Sequence, residues 1–155
     1  FEFFQKQPYS FFFRIVRDPI FVCQSMLLAR ETFSGDQTKW YSAKPAEYIW
    51  LKDLDIYHQI AGQVFYTEKA IELGLSKIPN SRQLTINYDF FCNHPSEVYN
   101  QIKEKYSSLG CNINEAYTGP NVFTNRNSLR LSTEEIEKLR LAYENISNGS
   151  QVFNA

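Results

Sequence analysis

The sequence predicts a parallel α/β fold that is rich in helix. Two short runs have strand character, Phe11–Val16 and Gln83–Tyr88. Stretches with apolar residues at helical spacing lie between and after them. Strands alternating with helices favour a parallel sheet. The first run is continuously apolar (Phe11, Phe12, Phe13, Ile15, Val16), which predicts a strand buried on both faces. Two strands are too few for a stable sheet, so the sheet read here is expected to be incomplete.

The elements follow in order. After the first strand, Arg17-Asp18-Pro19 marks a strand-to-helix junction, with Asp18 suited to an N-cap and Pro19 to the first helical position. The helix is predicted from Pro19 to about Thr32, with Val22, Met26 and Ala29 or Arg30 on one face, and Ser34-Gly35-Asp36 opens a loop. Pro45 can start a short helix carrying Tyr48, Ile49 and Trp50. The longest helix is expected from Asp53 to about Leu73, stopped by Gly74, with Ile56, Ile60, Val64, Ile71 and Leu75 as its stripe and Ala61 and Phe65 widening it. Ile78-Pro79-Asn80 is a loop, and Leu84, Ile86 and Tyr88 alternate along the second strand. A further helix spans Pro95–Ser107, with Val98, Ile102 and Tyr106 or Leu109 inward and Gly110 as its stop. Cys111–Arg130 reads as irregular. Ser132-Thr133-Glu134-Glu135 is a capping box opening a last helix with Ile136, Leu139, Tyr143 and Ile146 inward. The tail after Asn148 is expected to fray.

At 155 residues one domain is expected, covering 1–155. An aromatic share of 16% means that Phe and Tyr must fill much of the core. A net charge of −1 argues against a general nucleic-acid binder, which wants a basic face, but leaves room for one local phosphate site. No apolar run is long enough to span a membrane, and Phe1–Lys6 is too short and mixed for a signal peptide. The expected location is the cytoplasm. Three cysteines, Cys23, Cys92 and Cys111, without a C-x-x-C pair, read as reduced thiols with Cys23 in the core; neither a disulfide framework nor a metal site is expected. Sequons at Asn145 and Asn148 carry little weight.

The segment richest in chemistry is Arg17 to Ser25. Asp18, Phe21 or Val22, and Ser25 share one helical stripe, with Ser25 roughly 10 Å up the axis from Asp18. An Arg at the strand end and a hydroxyl two turns up can grip one phosphate between them.

Arg17-Asp18-Pro19 with Ser25 eight positions after the Arg resembles the 3′-phosphate-binding segment of sulfotransferases that use 3′-phosphoadenosine 5′-phosphosulfate (PAPS). The second landmark of that family, a strand ending in Tyr-Asp followed by an Asn-x-Pro turn and a helix ending in Leu-Gly, is matched by Leu84–Asp89, Asn93-His94-Pro95 and Leu109-Gly110. Trp40, Lys44-Pro45, Glu47-Tyr48 and Gln59–Gln63 resemble its middle. The resemblance covers about Phe11 to Leu131. It implies a P-loop-type parallel sheet flanked by helices, Arg17 and Ser25 on the 3′-phosphate, and Tyr88 beside the nucleotide. It also implies a basic or polar loop over the nucleotide at Asn125–Ser128, with Arg126 and Arg130 as its cations, although the commoner version of that loop is Arg-Lys-Gly. PAPS would be the co-substrate, no metal is implied, and the acceptor would be a hydroxyl or an amine. The loop that grips the 5′-phosphosulfate has no counterpart, because all six glycines are isolated. In the family that loop lies upstream of the first strand. The chain starts with Phe and is expected to be the C-terminal portion of such a protein, holding the 3′-phosphate side, with the catalytic residues unassigned.

Other candidates are weighed lower. Asp18 is assigned to capping. His58 and His94 are read as a half-buried surface residue and a turn residue rather than as bases, and Trp40 and Trp50 as packing anchors rather than acceptor-pocket walls. Two alternatives remain open: a P-loop kinase-like fragment indifferent to a 3′-phosphate, and a non-catalytic domain that self-associates through a bared sheet edge.

Overall fold

The computed structural model describes residues 6–7 and 10–149. Among them the chain is mixed α/β, 55% helical, with six α-helices and a two-stranded parallel sheet. The strands are β1 (Phe12–Val16) and β2 (Gln83–Asn87). The helices are α1 (Pro19–Ser34), α2 (Tyr48–Leu51), α3 (Ile56–Leu75), α4 (Tyr88–Asn93), α5 (Pro95–Ser108) and α6 (Thr133–Ser147), and a 3₁₀ turn covers Asn80–Arg82. No described helix is long and apolar enough to cross a membrane.

Two compact units are formed. One contains residues up to Arg17 together with Glu72–Arg126; the other contains Asp18–Ile71 together with Asn127 onward. The frayed end expected after Asn148 lies outside the described residues from position 150 on, as does the N-terminal stretch 1–5.

The first unit is built on the parallel pairing of β1 and β2, in a register that sets Phe13 beside Leu84, Ile15 beside Ile86 and Val16 beside Asn87. The expected burial of β1 on both faces is not found. Its residues alternate, with Phe13 47% and Ile15 55% exposed, so one face of the strand is open among the described residues. The entry to β1 is fixed by side chains. Arg82 donates from Nε to the Ser10 carbonyl (3.0 Å) and from a terminal nitrogen to that of Gln7, and Phe11 stacks on Tyr106 of α5 at 5.5 Å. Gln83 ties the loop before β2 by donating to the carbonyls of Leu75 (3.1 Å) and Ile78 (2.7 Å). Tyr88 is not the last strand residue but the first of α4, a helix the sequence did not announce. The Asn87 side chain accepts from Phe90 N (2.9 Å), and this cap ends the strand. Gly110, at φ +79°, follows α5 as expected.

The second unit is helical. Asp18 caps α1 by accepting from Ile20 N at 2.8 Å, with Pro19 in the first turn, as expected. The buried stripe of α1 is Ile20, Cys23, Gln24, Leu27 and Arg30; of the predicted face of Val22, Met26 and Ala29 or Arg30, Arg30 is buried and the others are half-buried. Cys23 and Leu27 meet Ile60 of α3 and Leu139 of α6 in one core; Leu51, Ala61, Ala142 and Ile146 form a second, against which Trp40 and Trp50 pack as anchors. The capping box of α6 is complete, with the Ser132 and Glu135 side chains each bonded to the other's backbone N–H. Helix α3 starts at Ile56 rather than Asp53, because Asp55 caps it by accepting from the N–H groups of Tyr57 (3.0 Å) and His58 (3.2 Å). It runs through Gly74, which is therefore not its stop, and Ile71 of the predicted stripe is 40% exposed.

Burial of Arg30 organises the rest of this unit. The guanidinium is fully buried. It donates to Gln59 Oε1 (2.9 Å), Gln63 Oε1 (3.4 Å) and the Gln37 carbonyl (3.4 Å), and sits 5.0 Å over the Trp40 ring. The two glutamines pass the order on. Gln63 Nε2 donates to the carbonyls of Tyr41 (2.8 Å) and Ala43 (2.7 Å), and Gln59 Nε2 to those of Lys52 (3.0 Å) and Leu54 (2.8 Å). A buried cation is costly unless bonded, and burial pulls the Arg30 pKa below its ordinary value. Its neutral acceptors and the Trp face offset that cost while fixing both loops.

Gly62 lies where α3 meets Leu51, and a Cβ there would fall 2.1 Å from Leu51 Cδ2, with Cδ1 and Cγ at 3.1 and 3.2 Å. Leu51 is fully buried and cannot simply swing away. Alanine for glycine in a helix ordinarily gains ~1 kcal/mol, whereas overpacking a core costs ~1–3 kcal/mol. Gly62→Ala is expected to destabilise the chain by about 1–2 kcal/mol in urea denaturation; a gain in stability would show that this contact is loose.

Candidate functional site

The parallel register settles what meets at the carboxyl ends of the strands. Val16 pairs with Asn87, so the next residues along, Arg17 and Tyr88, emerge side by side. The Arg17 guanidinium lies over the Tyr88 ring, 4.7 Å from its centroid, and its Nη2 donates to the Arg126 carbonyl at 3.0 Å. The Arg126 N–H in turn donates to the Tyr88 hydroxyl at 3.2 Å. Asn125 Nδ2 donates to Asp89 Oδ1 at 2.6 Å. Three of the five residues that the resemblance assigns to the nucleotide, Arg17, Tyr88 and Arg126, are thus in direct contact, all within the first unit. Arg126 makes these contacts with its backbone rather than with its side chain, which is exposed.

Ser25 belongs to the second unit. Its hydroxyl donates to the Phe21 carbonyl one turn back, at 2.8 Å, a common arrangement for a helical serine. Arg130 is exposed and held through its backbone N–H, which donates to Gln24 Oε1 at 2.6 Å. Gln24 also accepts from Leu131 N (3.2 Å) and donates to the Ser128 carbonyl (2.9 Å), so one fully buried amide fixes the lead into α6.

Gln24 is the residue that sequence reasoning missed. Asp89 and Asn125 entered it as members of the Tyr-Asp strand end and of the Asn125–Ser128 loop, without roles of their own. Gln24 carried no signal, because a glutamine in a helix is usually exposed.

The remaining candidates have structural employment. Burial, and then the nearby Asp18 charge, push the Cys23 thiol up to about 12, so it is no nucleophile at neutral pH. The His94 ring stacks on Phe90 at 4.9 Å and its Nδ1 is 3.1 Å from Glu97. His58 Nδ1 is 2.5 Å from Asp55 Oδ2, and its Nε2 is 3.5 Å from the Asn145 amide nitrogen, bridging α3 and α6. Among the described residues no group of three or more His, Cys, Asp or Glu side chains could hold a metal ion. A separate cavity of about 280 Å³ opens where Arg14 and Glu72 pair at 3.1 Å, lined also by Ser76, Asn80, Gln83 and Thr85, and it contains none of the residues named from sequence.

Comparison of the chain with protein-family models, with characterised proteins and with solved structures gave no match.

Burial tends to raise the Asp55 carboxyl, but the N–H and ring of His58 and the N–H of Tyr57 overcome it and hold the group below its ordinary 3.8. A depressed carboxylate stabilises the fold above its unfolded pKa, and the contribution is lost as pH falls through the folded one. Asp55→Asn keeps a good cap and removes the titration. Unfolding measured from neutral pH to about pH 2 is expected to show a shallower acid loss in the variant; identical slopes would mean that Asp55 does not carry it.

Proposed function

We propose that the chain is a sulfotransferase-like domain, with a P-loop-type sheet in its complete form, that binds the 3′-phosphate side of PAPS or of its product adenosine 3′,5′-bisphosphate (PAP). The observation that carries the reading is the contact of Arg17 with Tyr88 at the carboxyl ends of two adjacent parallel strands. Open α/β sheets take their ligands there. An arginine is the side chain suited to a phosphate dianion, and stacking on an aromatic ring limits the rotamer freedom it would lose on binding. In this reading Arg17 holds the phosphate and Tyr88 flanks the nucleotide. Arg126 and its neighbours cross above them, and Ser25 adds a neutral donor, on the strength of its sequence spacing. In the complete protein a sulfuryl group would pass from PAPS to a hydroxyl or amine acceptor. A base would take the acceptor proton and fixed donors would stabilise charge on the departing phosphate. The residues in hand supply recognition of the nucleotide and not that base.

The test is titration calorimetry with PAP, with ADP as the control and Arg17→Ala as the paired variant. PAP is expected to bind in preference to ADP. Loss of one charge-assisted contact in Arg17→Ala should weaken PAP by about tenfold to a hundredfold and leave weak ADP binding little changed. Equal binding of PAP and ADP would favour a kinase-like site, and equal PAP binding by both proteins would remove Arg17 from the site.

A further inference from the structure

Arg17 already has a backbone oxygen on it. The Arg126 carbonyl accepts from Arg17 Nη2 at 3.0 Å, the distance and polarity a phosphate oxygen would have. The segment that brings this carbonyl in has no helix or strand of its own. It is rooted where Phe123 N–H donates to the carbonyl of buried Cys92 (2.8 Å) and Phe123 stacks on Phe91 (ring centroids 5.1 Å apart). Beyond the root, its exposed contacts include Asn125 on Asp89 (2.6 Å) and the Arg126 N–H on the Tyr88 hydroxyl (3.2 Å).

We propose that residues 124–127 form a self-occluding arm, whose Arg126 carbonyl stands in for the phosphate on Arg17 and is displaced when the phosphate binds. The proposal rests on the reading of Arg17 as the phosphate ligand. A carbonyl is a neutral acceptor, and a phosphate dianion makes the stronger, charge-assisted bond to a guanidinium. The exchange therefore runs toward the ligand, opposed by the clips that hold the arm down. Apparent affinity is the intrinsic affinity multiplied by the fraction of molecules in which the arm has swung away. The root on Cys92 stays, so the displacement is confined to the few residues that follow Phe123. Tyr88 has two duties: its ring carries Arg17 and its hydroxyl holds the arm. The clip that can be cut without touching either Arg17 or Tyr88 is Asn125.

The experiment is PAP titration of the wild-type chain, Asn125→Ala and Arg17→Ala, combined with amide hydrogen exchange of residues 123–127 with and without PAP. Asn125→Ala is expected to bind PAP about threefold to tenfold more tightly than wild type, the equivalent of one released side-chain bond. The Arg126 amide should exchange faster once PAP is bound. Unchanged or weaker binding in Asn125→Ala, or slower exchange at Arg126 with PAP, would overturn the arm while leaving the nucleotide site standing. No binding of PAP by wild type and Asn125→Ala alike would overturn the nucleotide reading, and the arm with it.

Discussion

The parallel, in-register pairing of β1 with β2 is the constraint on which the site depends. Antiparallel pairing would send Arg17 and Tyr88 to opposite ends of the sheet, and a slip of one residue would turn one of the two side chains to the other face. With Val16 beside Asn87, the two residues that follow are neighbours by construction. The local chemistry then makes each turn away: Asp18 caps α1 immediately after Arg17, and Asn87 caps α4 immediately before Tyr88. Both strands therefore end at one level, and an arginine and a tyrosine are left in contact at the sheet's carboxyl edge.

Much of this was legible in the sequence, because it is written in short-range chemistry. The Asp-Pro start of α1, the Ser132–Glu135 capping box and the glycine after α5 are local rules, and local rules can be read from adjacent letters. The Arg17–Tyr88 contact was legible more indirectly, through strand ends and the resemblance of their motifs. What failed was whatever a cap decided against a period. Tyr88 reads as strand by alternation, yet the Asn87 side chain closes the strand one residue earlier. Gly74 reads as a stop, yet the helix continues through it to Leu75. The burial of Gln24 and the bonds of Arg30 could not be read, since nothing local marks a polar side chain whose acceptors arrive from loops 104 and 7 positions away.

The two units solve the same problem in different ways. Loops have backbone groups that must be bonded to something. In the second unit buried Arg30 and Gln63 and half-buried Gln59 reach out from helices to the carbonyls of residues 37, 41, 43, 52 and 54. Such bonds sit in a low dielectric and are strong together and costly to break singly, so these loops act as extensions of the helix core. Phe33 and Tyr41, stacked at 5.0 Å with rings almost parallel, continue that rigidity to the surface.

In the first unit the long segment after α5 is held mostly at the surface. Tyr99 and Lys103 both donate to the Glu115 carbonyl (2.9 and 3.0 Å), the Tyr117 hydroxyl donates to the Pro120 carbonyl (2.7 Å), and Asn125 clips to Asp89. Each bond of this kind competes with water and is worth about 1 kcal/mol net. A loop longer than about 15 residues with no regular structure is uncommon unless it serves a purpose. This one is held by contacts that are mostly exposed, with a deep root where the Phe123 N–H meets the carbonyl of buried Cys92. The elements that move in ligand binding are drawn from the low-stability end of a fold. The segment that reaches over Arg17 has that character, while the strand ends beneath it are fixed by pairing and caps. On the proposed reading the site has a rigid floor and a yielding cover, and the difference between them comes from where their hydrogen bonds are made.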